Sequence, residues 1–286
     1  MNSPLLEQLE NILGERISNT SHVGGGCIAT TQVIETISGK RFFLKSGYSN
    51  GMFLNEANGL RELAKSGAIR VPTVVACGDD FLLLEYIETG LKSPNFFEVF
   101  GKQFAEMHGF KGKHFGFFED NFIGATPQLN VTEGEKLYDW TEFYWEKRLL
   151  YQFSLAEKNG FVSVKLSTLF DKLGGRIKEI LQGSENVPVL LHGDPWGGNY
   201  MCDQLGNPVL IDPAVYYGNR EADLAMTKLF GGFSNEFYRA YNQASPLPEG
   251  YEYRENIYLL YHVLNHLNLF GTSYLFQAEN LISFYC

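Results

Sequence analysis

Asp194, Asn199 and Asp212 stand five and thirteen residues apart, in the runs Leu190-Leu191-His192-Gly193-Asp194-Pro195-Trp196-Gly197-Gly198-Asn199 and Leu210-Ile211-Asp212-Pro213. An apolar run leads into each aspartate, as buried strands do when they deliver a polar side chain to a cleft. Two carboxylates and an amide oxygen are hard donors, suited to Mg²⁺ and to the handling of phosphate. Upstream, Lys45 closes the run Arg41-Phe42-Phe43-Leu44-Lys45, and Glu56 follows eleven residues later on a helical stretch. A strand lysine paired with a helix glutamate directs the ammonium onto nucleotide phosphates. Taken alone, Lys45 reads more simply as a solvated strand end, and Gly24, Gly25 and Gly26 as a flexible turn. Set beside Asp194, Asn199 and Asp212, both point to phosphoryl transfer.

Those residues need two kinds of support. The first part of the chain alternates like a sheet. A short amphipathic helix over residues 4–13 precedes strands from Ile17 to Val23 and over 28–36, with Gly24, Gly25, Gly26 and Cys27 between them. Such a hairpin can lay backbone N–H groups over phosphates at low steric cost. Ser38-Gly39-Lys40 turns into the strand that ends at Lys45, a helix spans 53–64, and two further strands cover 71–76 and 81–87. The backbone near Glu85 and Ile87 then lies where a nucleotide base would bond. After a linker at 89–91 the pattern is mostly helical, with helices at 96–108, 140–150, 164–182, from 218 onward, and 251–270. His108 reads as a cap or a packed residue. His262 and His266 have the spacing of a zinc pair, but no glutamate lies between them and no third ligand is apparent.

The 286 residues are 44% apolar and 20% charged, enough for one large domain or two lobes. A net charge of −10 argues against a nucleic acid or an anionic membrane as the main partner. Cys27, Cys77, Cys202 and Cys286 are scattered, without the pairing of a disulfide framework or a zinc cluster. The N-terminus lacks a signal-peptide pattern and no run reaches the ~18 apolar residues of a membrane span, so a cytoplasmic location is expected.

The ordered set, from the Gly-rich hairpin through Lys45, Glu56 and the HGDxxxxN run to Asp212, resembles the small-molecule branch of the protein-kinase-like fold. Within it the chain is most similar to the fructosamine/ketosamine kinases. The likeness rests on Gly24 to Ile28, Leu191 to Asn199, Ile211 to Asp223, and Phe115-Gly116 followed by Asp120-Asn121-Phe122-Ile123-Gly124. It implies an α+β, bilobal fold: an N-terminal lobe (1–88) with a five-stranded antiparallel sheet and one helix, and a mainly helical C-terminal lobe (89–286). It implies ATP and Mg²⁺, with Asp194 as the base that takes the proton of the sugar hydroxyl and Asn199 and Asp212 as metal ligands. Lys45, held by Glu56, would contact the α/β-phosphates under residues 24–27. Trp196 would face the acceptor, with Tyr217, Arg220 and Glu221 as further candidates on that side; helix capping is the alternative for Glu221. Asp223 either shapes the same side or braces the catalytic loop.

The implied reaction is phosphorylation of the 3-hydroxyl of ketosamines, free or on glycated protein lysines, as a deglycation repair step. Some features depart from the family. Pro195 stands where leucine is common, and Asp212-Pro213 replaces the DFG motif. The short segment from Asp212 to Arg220 argues against protein substrates. A Cys27 thiol could oxidise and join two subunits, so a monomer or a redox-linked dimer is expected. Rival readings are an aminoglycoside, choline or sugar-alcohol acceptor on the same fold, a two-metal hydrolase built on His192, Asp194 and Asp212, and a non-catalytic pseudokinase. The hydrolase lacks further ligands, and the full set from Lys45 to Asp212 argues against the pseudokinase.

Overall fold

In the computed structural model, which describes residues 3–24, 29–47, 50–134 and 138–286, strand alternation decides where Lys45 points. Five antiparallel strands, β1 (Ile17–His22), β2 (Thr30–Thr36), β3 (Arg41–Ser46), β4 (Val74–Cys77) and β5 (Phe81–Glu85), pair in the order β1-β2-β3-β5-β4. On the outer face Leu44 of β3 joins Ile34, Phe81 and Leu83 in a small core closed by Leu5 and Leu9 of helix α1 (Ser3–Leu13). Successive strand residues face opposite ways, so Lys45 turns to the inner face, toward helix α2 (Met52–Ala64). Two helices therefore flank the sheet, α1 outside and α2 inside.

The crossing to the second half is tied at several points. The Gly90 N–H donates to the Cys202 carbonyl at 3.0 Å, and Thr89 bridges to Asp203. Arg70 reaches both Glu85 (2.5 Å) and Asp203 (2.8 Å). The Glu85 carboxylate also accepts the Thr73 N–H, so it is committed to the hinge itself. Ile87 is buried just beyond β5.

The second half contains α3 (Phe96–Met107), α4 (Trp140–Tyr144), α5 (Tyr151–Lys158), α6 (Val164–Ile180), α7 (Arg220–Lys228), α8 (Asn235–Ala244), α9 (Tyr251–Phe270) and α10 (Leu275–Ser283). Three two-stranded ladders interrupt them: β6 (Asn121–Ile123) with β7 (Thr126–Gln128), β8 (Val189–Leu191) with β11 (Tyr216–Gly218), and β9 (Tyr200–Cys202) with β10 (Pro208–Leu210). The helix expected over 140–150 is α-helical only to Tyr144. A π-turn, Trp145–Leu150, follows and carries Arg148 into the core. Neither α8 nor α10 is expected from the sequence, although about half of the residues in each are apolar. Their burial comes from tertiary partners, as where α8 lies so close to α3 that a Cβ on Gly101 would come within 2.3 Å of the Phe237 carbonyl oxygen. Among the described residues no helix is long and apolar enough to cross a membrane.

His262, buried on α9 beside His266 and Arg148, carries a pH consequence. Burial first, and those two neighbours second, lower its pKa from 6.5 to about 3. A folded-state value below the unfolded one means stability that is present above the unfolded pKa and lost as pH falls toward the folded one. Between pH 7 and pH 5 His262 alone should cost roughly 2 kcal/mol. His262→Leu is therefore expected to flatten the acid limb of denaturant-melt stability against pH; a limb of unchanged slope would contradict the assignment.

Candidate active site

The loop that carries Asp194 and Asn199 begins where β8 ends at Leu191, and β11 fixes that point by pairing Tyr216 with Leu191. Gly193 follows at φ +84°, where a Cβ would lie 1.9 Å from the Ala214 carbonyl oxygen, so the loop can press this closely on 214 only with glycine there. Asp223, buried at the start of α7, accepts the His192 N–H at 2.7 Å and the Gly193 N–H at 2.9 Å. His108 Nε2 lies 3.2 Å from the same carboxylate, and its Nδ1 meets the Tyr241 hydroxyl. Of the two roles open to Asp223, the geometry is that of the brace. The His192 ring joins the two strand ends: Nε2 is 2.9 Å from the Ile211 carbonyl, and Nδ1 accepts the Asp194 N–H at 3.3 Å.

Asp194 lies half-buried at the tip. Burial pushes its carboxyl well above the usual carboxylate range, the bond from Asn199 pulls it back, and repulsion from Asp212 and Asp223 adds to the rise. Asn199 Nδ2 donates to the Asp194 carboxylate at 3.0 Å and to its carbonyl at 2.9 Å. That fixes the amide with nitrogen toward Asp194 and leaves Oδ1 as a neutral oxygen ligand. Asp212 has φ +53°, unusual for a non-glycine residue and more so before Pro213, since a residue preceding proline prefers extended backbone. Such strain costs on the order of 1–3 kcal/mol and persists only where the surroundings over-determine it.

Lys45 Nζ is 2.8 Å from Glu56 and 2.7 Å from Asp212. Burial disfavours the ammonium, but the two carboxylates outweigh it and hold the Lys45 pKa above its ordinary value. Burial also raises Glu56, against the pull of Lys45 and with Asp212 adding repulsion. The site thus gathers a fixed cation, two carboxylates and an amide oxygen from three segments: β3, the loop at 192–199 and the stretch after β10. Asn199 Oδ1 and the Asp212 carboxylate suit Mg²⁺, which takes one or two protein oxygens and completes its shell with water and substrate phosphates.

Trp196, 37% exposed, meets the edge of Phe230 at 5.9 Å between ring centroids. Phe230 is half-exposed in the left-handed region at φ +59° and touches His266 at 5.0 Å. His266 Nδ1 donates to the His262 carbonyl at 2.7 Å, and burial lowers its pKa, so the ring is neutral with Nε2 as an acceptor. Phe230 is not among the residues expected from the sequence, and His266 is there only as half of an i, i+4 histidine spacing.

Three expected acceptor-side residues are engaged elsewhere. The Tyr217 hydroxyl donates to Glu62 of α2 at 2.9 Å. Arg220 is bidentate to Glu185 at 2.6 and 2.9 Å and donates to Ser245 and the Pro246 carbonyl, leaving no donor for an acceptor molecule. Glu221, with no exposed surface, is bidentate to Arg254, and it is Asn219 that caps α7. Interior partners satisfy all three, so they shape the site at most through its frame. Gly24 follows β1 in an exposed bend, while Gly25, Gly26 and Cys27 lie outside the described residues.

The family model for fructosamine kinase matches residues 1–285. The chain belongs to the fructosamine kinase family. This kinase is 41% identical over 282 residues to the chloroplastic protein-ribulosamine 3-kinase of Arabidopsis thaliana, covering 94% of this chain and 83% of that one. A crystal structure from Thermobifida fusca, assigned as a fructosamine-3-kinase, superposes with a TM-score of 0.90 at 30% identity, over 99% of this chain and 98% of that one. The gentamicin complex of the aminoglycoside phosphotransferase APH(2")-IIa shares the fold at a TM-score of 0.61 and 14% identity, over 100% and 95% of the two chains. As a member of a kinase family the chain is a phosphotransferase, and the fold implies ATP as its donor.

Proposed function

We propose that this kinase transfers the γ-phosphoryl group of ATP to the 3-hydroxyl of a ketosamine, a fructosamine or ribulosamine carried on an amine or a lysine. Position 3 comes from the Arabidopsis relative, whose name states it. The observation that carries the acceptor class is the ring wall of Trp196, Phe230 and His266, whose indole stands two residues after Asp194 on the same loop. A ketosamine offers a sugar face and a cationic secondary amine. An indole face can stack on the first and attract the second.

Asp194 accepts the proton of the attacking hydroxyl, and Asn199 holds the carboxylate in orientation. Lys45, set by Glu56, takes the α/β-phosphates, and the backbone near Glu85 and Ile87 takes the base. Asn199 and Asp212 would hold Mg²⁺, which when bound neutralises charge on the transferring phosphate. The phosphorylated adduct is labile, so the reaction serves deglycation.

The test is an ADP-release assay across fructosyl-lysine, ribulosyl-lysine, an aminoglycoside, choline and simple sugars. Turnover confined to the two ketosamines is expected; a preference for the aminoglycoside or choline would overturn the acceptor assignment. Trp196→Ala should raise the ketosamine KM by about tenfold or more and leave the ATP KM within about twofold. An unchanged ketosamine KM would remove the indole from the acceptor site.

A further inference from the structure

Asp212 is held on its upstream side by the catalytic loop: the Ile211 N–H donates to the Asn199 carbonyl at 3.0 Å, and His192 holds the Ile211 carbonyl. Downstream, the Ala214 N–H donates to the His192 carbonyl at 2.9 Å, and the Ala214 and Val215 carbonyls are held by the β6–β7 hairpin, which has no part in the proposed reaction so far. Asn121 Nδ2 donates to the Val215 carbonyl at 2.8 Å, and Gln128 Nε2 to the Ala214 carbonyl at 2.9 Å. Gln128 Nε2 also donates to Asn121 Oδ1 at 2.9 Å, so the amides orient each other. Tyr261 of α9 donates to Gln128 Oε1 at 2.8 Å, and Asn130 donates to Asn121 Oδ1 at 2.8 Å. All four side chains are buried.

A buried amide cluster is expensive unless every member is paired, and an apolar core would pack the same space at lower risk. Here its donors end on two consecutive carbonyls, two and three residues beyond the strained Asp212. The same segment is wedged from the other side. A Cβ on Gly59 of α2 would come within 3.2 Å of Val215, and Asn58 of α2 donates to Glu119 at 2.9 Å, just before β6. The hairpin therefore touches both the helix that carries Glu56 and the segment that carries Asp212.

We propose that Asn121 and Gln128 are positioning residues for phosphoryl transfer, clamping the 214 and 215 carbonyls so that Asp212 keeps its left-handed backbone and presents its carboxylate to the metal. This rests on Asp212 being a Mg²⁺ ligand. Without the clamp, Pro213 to Val215 can shift, Asp212 relaxes toward the extended backbone that proline favours, and its carboxylate leaves the phosphate side. The segment is thereby kept in one conformation, where a free one could flip.

The test uses the full chain with Gln128→Leu, which keeps the bulk and removes the donors. Its first readout is the melting shift produced by ADP as Mg²⁺ is titrated, which needs no turnover. Its second is kcat and acceptor KM against Mg²⁺. The half-saturating Mg²⁺ should rise about tenfold or more and kcat fall about tenfold, the scale typical of residues that orient metal ligands. The acceptor KM should stay within about twofold, because the hairpin's donors end on the 214 and 215 carbonyls and not on Trp196. Tyr261→Phe, which removes only the bond to Gln128 Oε1, should move the same quantities in the same direction by a smaller factor, and it serves if Gln128→Leu does not fold. Ser163→Ala, which removes a remote helix cap, controls for lost stability and should move neither. Wild-type Mg²⁺ dependence in folded Gln128→Leu, or in Tyr261→Phe where only that variant folds, would overturn the proposal, provided Asp212→Asn shifts it. If Asp212→Asn leaves Mg²⁺ dependence unchanged, the metal assignment fails and takes the proposal with it.

Discussion

An Asp194→Asn variant is expected to lose about 10³-fold in kcat while its affinity for the nucleotide stays near that of the wild type. The substitution is nearly isosteric, and an amide oxygen at 194 can still accept the bond from Asn199 that the carboxylate accepts at 3.0 Å. Shape and loop are kept; the capacity to receive a proton is lost. The loop does not depend on the Asp194 carboxylate, because Asp223 braces it through the His192 and Gly193 N–H groups. Lys45 and Glu56, proposed to serve the nucleotide, lie on β3 and α2. ADP release gives kcat, and the melting shift produced by ATP gives binding. A variant that keeps more than about a tenth of wild-type turnover would exclude Asp194 as the base. Parallel loss of ATP binding would make it a structural residue instead.

The largest effect on stability is expected at Arg254, far from any substrate. Its guanidinium is bidentate to Glu221 at 2.8 and 2.6 Å, and both side chains are almost wholly buried. Burial pushes the Glu221 carboxyl up, and the bonds from Arg254 pull it down. Arg254→Met leaves a carboxylate with no counter-charge in the interior, a change that costs about 3–5 kcal/mol when one partner of a buried pair is removed. In the variant the Glu221 pKa must rise further, since its main opposing influence is gone. A raised folded-state pKa contributes stability at low pH that is lost as pH rises through it, so the deficit against wild type should be full near pH 8 and narrower near pH 5.5. Denaturant melts of both proteins at the two pH values measure this. A deficit below about 1 kcal/mol, or one that widens on acidification, would contradict the pairing.

Much of the candidate site was legible as residue type and spacing. Lys45 lies on the inner face because Leu44 must enter the outer core, and strand alternation leaves its neighbour no other side. Asp194 and Asn199 are carried on one short loop whose local bonds bring them together, so their relation survives any arrangement of the rest. The helix at 140–150 was legible in place but not in type. The π-turn that carries Arg148 inward is stabilised by its tertiary contacts, among them the bond to Asn130 at 2.7 Å.

Tyr217, Arg220 and Glu221 show where one-dimensional reading fails. Their types suit a polar acceptor, and they follow Asp212 closely in sequence. Their partners, however, are Glu62, Glu185 and Arg254, 155, 35 and 33 residues away. Phe230 and His266 went unrecognised as acceptor-side groups for the opposite reason: each is ordinary in its own segment, and only tertiary packing sets His266 of α9 against Phe230 in the turn after α7, and Phe230 against Trp196.

Residue type and spacing were enough to propose the chemistry, with Asp194 as base, Asn199 and Asp212 as metal ligands and Lys45 as phosphate-binding cation, each placed by strand alternation or by a short loop. Only the tertiary structure decided which polar groups are spent inside the protein and which remain for a substrate. The reason is physical. A buried charge or amide is tolerated only when its partners are supplied, and those partners come from elements that meet through long-range packing.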